Sequence, residues 1–578
     1  MERKSVGRGF DFDPRGAPSY PSPRPMSLVA YLIGCGLLLG LAYRWAKPRL
    51  AAWVGLDDAR PTPAAAQPDD DQHPAPAAVL LPQHFSAIAA AGPVVGPILA
   101  GAAFGWAPTL AWILLGAILI GGIHDFLALV ASVRRRGASI AAVVRDAVSP
   151  LSHRLFLAFI WLSLVYVIVA FADVTAGTFV AAGKPGEAAP GPAVATASLL
   201  YLALAVAMGL AVRKGLPGGV ARAIFLPLVA VAIGLGQVVP LAWGDARDWT
   251  ALLLVYCALA SVAPVWMLLQ PRGELGGWFL YGVIAVASAG LLVGGLTGEL
   301  TFRAPALTGA PLFGDLTGAQ PLLPILLITV ACGACSGFHS VVASGTTSRQ
   351  LAKESDAVPV AYGGMLLESF FACLSLAVFC VVGHLAGSPD RTYAEGLARL
   401  AEVATFGLVP ASVALPIALL GFATFVFDTL DACTRLARYT LCELMGWKGR
   451  LGTWAATLLT LAIPATLAFL PKPVVDGKEV PLWRTFWTIF GMSNQLLAAL
   501  ALLAATLWLR SEGRRWWPAL VPALLMLAAS AGSLGLLLHA RLSGPALSPI
   551  ALAETLCAGV LLGLAALLVV ESARGLRR

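Results

Sequence analysis

The sequence predicts an all-α polytopic membrane protein, and three observations carry that prediction. Hydrophobic residues make up 58% of the 578 residues and charged residues 12%, with a mean hydropathy of +0.81, whereas soluble domains are about 25% charged. Apolar runs of roughly 20 residues recur along most of the chain, long enough to cross a hydrocarbon core of about 30 Å at 1.5 Å per residue. The connections between them are short, and no soluble domain of ordinary size fits anywhere. About fifteen spans are expected on this basis.

Taken in order, a polar leader (1–25) precedes a first span at 26–46. That segment is too long, and too poorly followed by small residues, for a cleavable signal peptide, so it is kept as a peripheral transmembrane helix. The linker 47–83 contains "TPAAAQPDDDQHPAPAA" and is expected to be a solvated, flexible approach to the next span. The second span, 84–105, lies in "HFSAIAAAGPVVGPILAGAAFGW" and carries Gly-Pro twice, at Gly92-Pro93 and Gly96-Pro97. Each proline removes a backbone donor and clashes with the carbonyl four residues back, which predicts a doubly interrupted helix. Further spans are expected at 108–133, 155–181, 195–212, 220–243, 249–270, 277–297, 320–346, 361–386, 411–434, 452–470, 484–509, 516–540 and 549–573.

The net charge of +8 is not spread like a nucleic-acid surface. The Lys and Arg residues fall in alternate loops: "RRRGASIAAVVRDAVSPLSHR", "VRKGLPGGVAR", "TRLARYTLCELMGWKGR", "RSEGRRWW" and "ESARGLRR" share one side. The positive-inside bias makes that side cytoplasmic, with the C-terminus inside and the N-terminus outside, although Lys4, Arg8 and Arg15 of the leader pull the other way. All nine cysteines lie in or at the ends of spans, so no disulfide framework is expected. No G-x-x-x-x-G-K-[ST] phosphate loop occurs and no loop could house an ATPase domain. Energy for transport must then come from an ion or proton gradient, and no cofactor is called for.

Charged and irregular positions inside spans are the best pointers to function, because both are costly in lipid. The Gly92–Pro97 interruption would expose N–H groups that attract an anion and carbonyls that attract a cation; a kinked structural helix is the plainer alternative. In "ITVACGACSGFHSVVASGTTSRQLAKES", small residues crowd around Ser336, His339, Ser344, Thr346 and Thr347, where hydroxyls can line a polar path or helices can simply pack closely. Cys332, Cys335 and His339 would share one helical face at i, i+3 and i+7, a weak metal signal lacking a fourth ligand, so no metal is assigned. His124 and Asp125 are adjacent and able to titrate together, Glu368 is a lone acid on an apolar helix, and Asp173 is another. Asp428 and Asp431 precede Arg435 and Arg438, with Asp431–Arg435 spaced for an i, i+4 salt bridge.

The motifs "HFSAIAAAGPVVGP", "GGIHDFLALVASVRRRGAS", "APVWMLLQPRGEL", "ACGACSGFHSVVASGTTSRQLA", "YGGMLLESF", "TLDACTRLARY" and "FWTIFGMSNQLLAAL", running from about 84 to 500, together resemble the carbon starvation protein A (CstA) family. The resemblance implies a multi-pass bacterial inner-membrane transporter of peptides or of pyruvate, the latter by proton symport. It also implies a LeuT/APC-like core of two inverted five-helix repeats at 84–445, with additional transmembrane helices at 446–578. On that scheme 320–346 is the eighth core helix; a rival assignment makes it the second broken helix. Gly92, Pro93, Gly96, Pro97, Ser336, His339, Ser344, Thr346 and Thr347 are then the substrate site. His124, Asp125, Glu368 and Asp431 are the carriers of a coupling proton or sodium ion. The rivals are an ion channel, a membrane-embedded metal or redox protein built on Cys332, Cys335 and His339, and a peptide sensor. Ala91, Cys335 and Ser348 depart from the family pattern.

Overall fold

The computed structural model describes residues 27–66, 74–89, 91–147, 149–181, 189–313, 321–472, 474–475, 478–543 and 549–577. The polar leader and the Asp69–Asp71 stretch of the linker lie outside them. The helices are α1 (Leu28–Val54), α2 (Pro63–Ala66), α3 (Ala77–Ile88), α4 (Gly92–Phe104), α5 (Trp106–Gly116), α6 (Gly122–Arg134), α7 (Ile140–Ala147), α8 (Pro150–Phe179), α9 (Pro190–Arg213), α10 (Gly218–Val238) and α11 (Ala246–Val262). They continue with α12 (Leu269–Thr297), α13 (Ile325–Thr329), α14 (Gly337–Gly345), α15 (Gly363–Val382), α16 (Pro389–Ala404), α17 (Ala411–Met445), α18 (Gly449–Phe469), α19 (Leu482–Ser511), α20 (Trp517–Leu542) and α21 (Pro549–Arg577). Among the described residues, twelve helices are long and apolar enough to cross a bilayer, and the bent pair α3–α4 makes a thirteenth. The chain is an all-α, multi-pass membrane protein.

Two of the fifteen expected spans take another form. The segment 249–270 yields α11, only 17 residues long, and a separate start for α12. The segment 320–346 is not one helix: α13 stops at Thr329 and α14 starts at Gly337. The reading of 320–346 as a continuous eighth core helix is therefore replaced by the rival one, a second interrupted span. The first interruption also differs from expectation. α3, ending at Ile88, and α4, starting at Gly92, meet at 47°. A proline ring displaces the carbonyl four residues back, which for Pro93 is that of Ala89. Pro93 itself sits in the first turn of α4, where its missing N–H is harmless. Pro97 is carried inside a continuous helix. There is one break, not two.

The element order recurs. An interrupted span (α3/α4) is followed by a helix with a π turn at Ala117–Gly121 (α5–α6), a short helix (α7) and a 30-residue helix (α8). After α13/α14 comes a π turn at Val358–Tyr362 leading into α15, then α16 and the 35-residue α17. Among the described elements, α8 and α17 share the most extensive helix–helix contact. π turns add one residue to a turn and collect at functional sites.

The linker is docked where it is described. Asp58 accepts hydrogen bonds from the Ser355 N–H and hydroxyl, both at 2.8 Å. Asp57 N–H donates to Glu354, and Ala75 N–H to the Gln350 carbonyl. Arg134 meets both Glu354 carboxylate oxygens at 3.2 Å and also donates to the Val54 and Gly55 carbonyls. The expectation of a freely solvated linker fails here because Glu354 and Asp58 satisfy its backbone and its partner loop.

Candidate functional site

Four of the predicted residues form one buried chain of contacts. His124 Nδ1 lies 2.7 Å from Asp125 Oδ1; Asp125 Oδ2 lies 2.8 Å from His339 Nδ1; His339 Nε2 lies 3.1 Å from Glu368 Oε2. All four side chains are at most 1% exposed. The groups come from α6, α14 and α15, so the second interrupted span carries the central imidazole. At these distances the charge on each group acts directly on its neighbour in the chain.

The irregular backbone around α14 is satisfied by protein. Asn494 Oδ1 accepts the Phe338 N–H at 2.8 Å and the Ser336 hydroxyl at 3.2 Å, acting as a cap delivered from α19. Gln495 donates to the Leu327 carbonyl, and the Trp112 indole N–H to that of Val330. A Cβ on Gly337 would stand 2.4 Å from both Ala498 N and Asn494 O, so at this residue α14 rests directly on the backbone of α19. The Gly92–Pro97 turn packs on the same irregular stretch: a Cβ on Gly92 would meet the Cys332 side chain, and one on Gly96 the Thr329 carbonyl at 2.7 Å. Gly92, Pro93, Gly96 and Pro97 are buried against that stretch. Because 330–336 is not helical, Cys332, Cys335 and His339 do not share a helical face. Among the described residues no group of three or more His, Cys, Asp and Glu is arranged to hold a metal ion. All nine cysteines are free.

Asp431 belongs to a different network. Arg272 of α12, fully buried, reaches Asp428 Oδ1 with Nε at 2.9 Å and Asp431 Oδ2 with Nη1 at 2.5 Å. Tyr256 donates to Asp431 at 2.7 Å, Ser86 to Asp428 at 2.6 Å, and the guanidinium lies 4.3 Å over the Phe427 ring. Gly276 makes this possible, since a Cβ there would come within 2.5 Å of Ser86 Oγ and 3.1 Å of Asp428 Oδ2. The expected Asp431–Arg435 salt bridge is not made. Arg435 instead donates to the Ala260 and Ala263 carbonyls at the end of α11, where a helix leaves acceptors unpaired. Asp173, the remaining lone acid, accepts the Trp483 N–H at the start of α19 and pairs with Lys472.

A small cavity of ≈ 20 Å³, about the room of one water, lies between α3, α12, the end of α14 and α17. Its polar lining is Gln83, His84, Thr346, Thr347 and Asp428. His84 Nδ1 lies 2.9 Å from the Thr347 hydroxyl. Of the predicted hydroxyls, Thr346 and Thr347 line this space. Ser344 does not: it bonds the Ser340 carbonyl and takes the Ile140 N–H that opens α7. Reading the sequence missed His84, Arg272 and Asn494. Each stands inside a motif quoted for the family, but only the long-range pairing tells which polar residue of a motif is buried.

The chain matches the family described as carbon starvation protein CstA over residues 28–387 and 381–533. It is 32% identical over 561 residues to the peptide transporter CstA of Escherichia coli (strain K12), covering 83% of this chain and 77% of that protein. It is 30% identical over 590 residues to the pyruvate/proton symporter BtsT of the same organism, covering 86% and 80%. The solved structure of an Eremococcus coleocola manganese transporter in complex with an aromatic bis-isothiourea substituted compound aligns with 86% of this chain and 95% of its own at a TM-score of 0.45 and 13% identity. That of MhsT with L-phenylalanine aligns with 84% and 98% at 0.43 and 14%. With a family match along most of its length and two such relatives, the chain belongs to the carbon starvation protein CstA family.

Proposed function

We propose that the protein is a proton-coupled secondary transporter of the bacterial inner membrane, taking up a small carboxylate, pyruvate first, or a peptide. The observation that carries this reading is the sealed chain His124–Asp125–His339–Glu368, which joins the second interrupted span to the helices on either side. Two carboxylates and two imidazoles removed from water are cheapest when their charges cancel, so a change of one proton shifts the energy of the conformation that seals them. Movement of α14 would part His339 from Asp125 and Glu368 together. That is the link a symporter needs between proton occupancy and access.

In a conformation that widens this cavity, the substrate is held by the Thr346 and Thr347 hydroxyls and Gln83, with the Arg272–Asp428–Asp431 network as the far wall. Asp431 acts there as a counter-ion, and the Gly92–Pro97 turn is the surface on which the two interrupted spans shift against each other. The recurring element order supports two structural repeats whose second arm runs through α18 and α19, so that the transporter core extends beyond 445. The relatives named for peptide and for pyruvate/proton transport supply the substrate classes.

The test is uptake of labelled pyruvate and of a dipeptide into proteoliposomes under imposed proton or sodium gradients. Accumulation driven by protons alone is expected, and Glu368→Gln should abolish it while substrate exchange persists. Accumulation driven only by sodium would replace the proton, and an unsaturable conductance would replace the transporter with a channel.

A further inference from the structure

We propose that His84 is the port through which protons pass between the substrate cavity and the buried relay. The proposal rests on the symporter reading above and adds a residue and a route to it. His84 is 1% exposed and lines the cavity. Its Nδ1 is taken by Thr347, another cavity residue, while its Nε2 is buried with no hydrogen-bond partner among the described residues. A buried, unpaired ring nitrogen is costly to keep and calls for an explanation.

The free edge of the ring points away from Thr347 and toward α15. A Cβ on Gly364 would lie 3.1 Å from His84 Cδ2 and 3.8 Å from Nε2. Glu368, the last member of the relay, stands one turn further along the same helix, at i+4 from Gly364. His84 interacts electrostatically with Asp125 of α6 and His339 of α14. On the cavity side the charged group is Asp428 of α17, itself bound to Arg272 of α12. His84 thus has Nδ1 on a cavity hydroxyl and its unpaired Nε2 on the edge that faces the helix carrying Glu368. It is the only residue that both lines the cavity and couples to the relay among those described.

The transfer balances on one imidazole. A neutral ring carrying its proton on Nε2 accepts a second at Nδ1 from the Thr347 hydroxyl, which regains one from the cavity. The ring then releases the Nε2 proton toward the relay and is left neutral with the proton on Nδ1; a reverse transfer or a ring turn restores it. Substrate seated on Thr346 and Thr347 covers this entry, so a proton loaded first is held until the substrate leaves. The two cargoes are coupled because they share a door.

The experiment reads protons moved per substrate molecule in proteoliposomes, using a trapped pH dye together with labelled substrate. A structural role for His84 would lower both fluxes in proportion and leave their ratio alone. In His84→Gln the ratio is expected to fall at least about tenfold, since a positioned acid–base group typically contributes about 10²–10⁴ in proton-transfer rate. An unchanged ratio overturns the port. If His84→Gln carries no substrate, the ratio is read in Gly364→Ala, which keeps every polar group while its methyl, 3.1 Å from His84 Cδ2, makes the ring give way by a few tenths of an ångström. A lowered ratio supports the port and a wild-type ratio overturns it. Absence of proton movement in the wild type would instead remove the symporter reading itself.

Discussion

Replacing Arg272 by methionine tests how the wall of the cavity is held together. The side chain bonds Asp428 at 2.9 Å and Asp431 at 2.5 Å, and neither Arg272 nor its partners is more than 5% exposed. At an effective dielectric constant of about 20, each contact is worth about 6 kcal/mol of Coulomb attraction. Much of that offsets the several kcal/mol needed to strip water from each of three ions. The intact network is therefore worth little net, but the single substitution is costly. Arg272→Met leaves two carboxylates three residues apart on one helix with no cation between them, and removal of one partner from a buried pair costs about 3–5 kcal/mol. Neutralising the whole network, Arg272→Met with Asp428→Asn and Asp431→Asn, should recover at least half of the loss, since Tyr256 and Ser86 can bond to either amide. The assay is reversible unfolding of purified protein in mixed micelles by titration with a denaturing detergent, comparing the single and triple variants. A single variant within about 1 kcal/mol of wild type would show that the carboxylates are hydrated after all, and the reasoning would fail.

Asn494→Ala removes the cap of α14 and should destabilise by about 1–3 kcal/mol, with hydrogen exchange at Phe338 accelerated before the rest of the bundle. Gly337→Ala forces a methyl group to within 2.4 Å of α19 backbone atoms, so α14 must move off α19; unfolding at lower denaturant and loss of transport are expected together. For Asp58, outside the spans, the Ser355 N–H and hydroxyl hold the carboxyl below its usual range. A depressed pKa means the contact contributes above the unfolded value of about 3.9 and is lost as pH falls through the folded one. Exchange protection at 57–62 should therefore be flat from neutral pH down to about 4 and collapse below it, and Asp58→Asn should remove that pH dependence.

Which parts of this were legible in the sequence follows from what each signal depends on. Span number and type depend on local composition, and every expected apolar run lies on one or more helices. Glu368, Asp125, His124 and His339 could be singled out because an ionisable group in an apolar run is conspicuous wherever it pairs. Their mutual contact could not, because it joins α6, α14 and α15 across more than two hundred residues. Arg272 was hidden by its setting: it falls between the expected spans 249–270 and 277–297, yet α12 begins at Leu269 and carries the guanidinium inward. The Asp431–Arg435 spacing misled for the converse reason. An i, i+4 pair on a surface helix is worth only about 0.2–0.5 kcal/mol, which buried carbonyls and a second arginine easily outbid. The proline rule located the first bend to within a residue or two, but it could not tell that Pro97 would be tolerated or that 330–336 would unwind without any proline.

That unwound stretch bears on how an interrupted helix should be read. Irregular backbone in lipid needs partners, and those partners can be water, cargo or protein. Around α14 they are Asn494, Gln495 and Trp112, and the Gly92–Pro97 turn is covered by Cys332 and the Thr329 carbonyl. With so many groups met from within, an interruption by itself does not mark where cargo binds. What it does supply is a nine-residue helix packed into the core through Phe338, Val341, Val342 and Ala343, with its start capped by a side chain and no continuous helical hydrogen-bond ladder through 330–336 to tie it to α13. Such a helix can shift as a unit against its neighbours without unwinding a longer one. α14 has this character, and it carries both His339 at its start and the Thr346–Thr347 turn at its end. A displacement that opened the cavity would therefore disturb the relay in the same movement. The functional meaning of the break is mechanical: it makes the piece that joins the buried chain to the cavity lining a separate helix, free of the rest of its span.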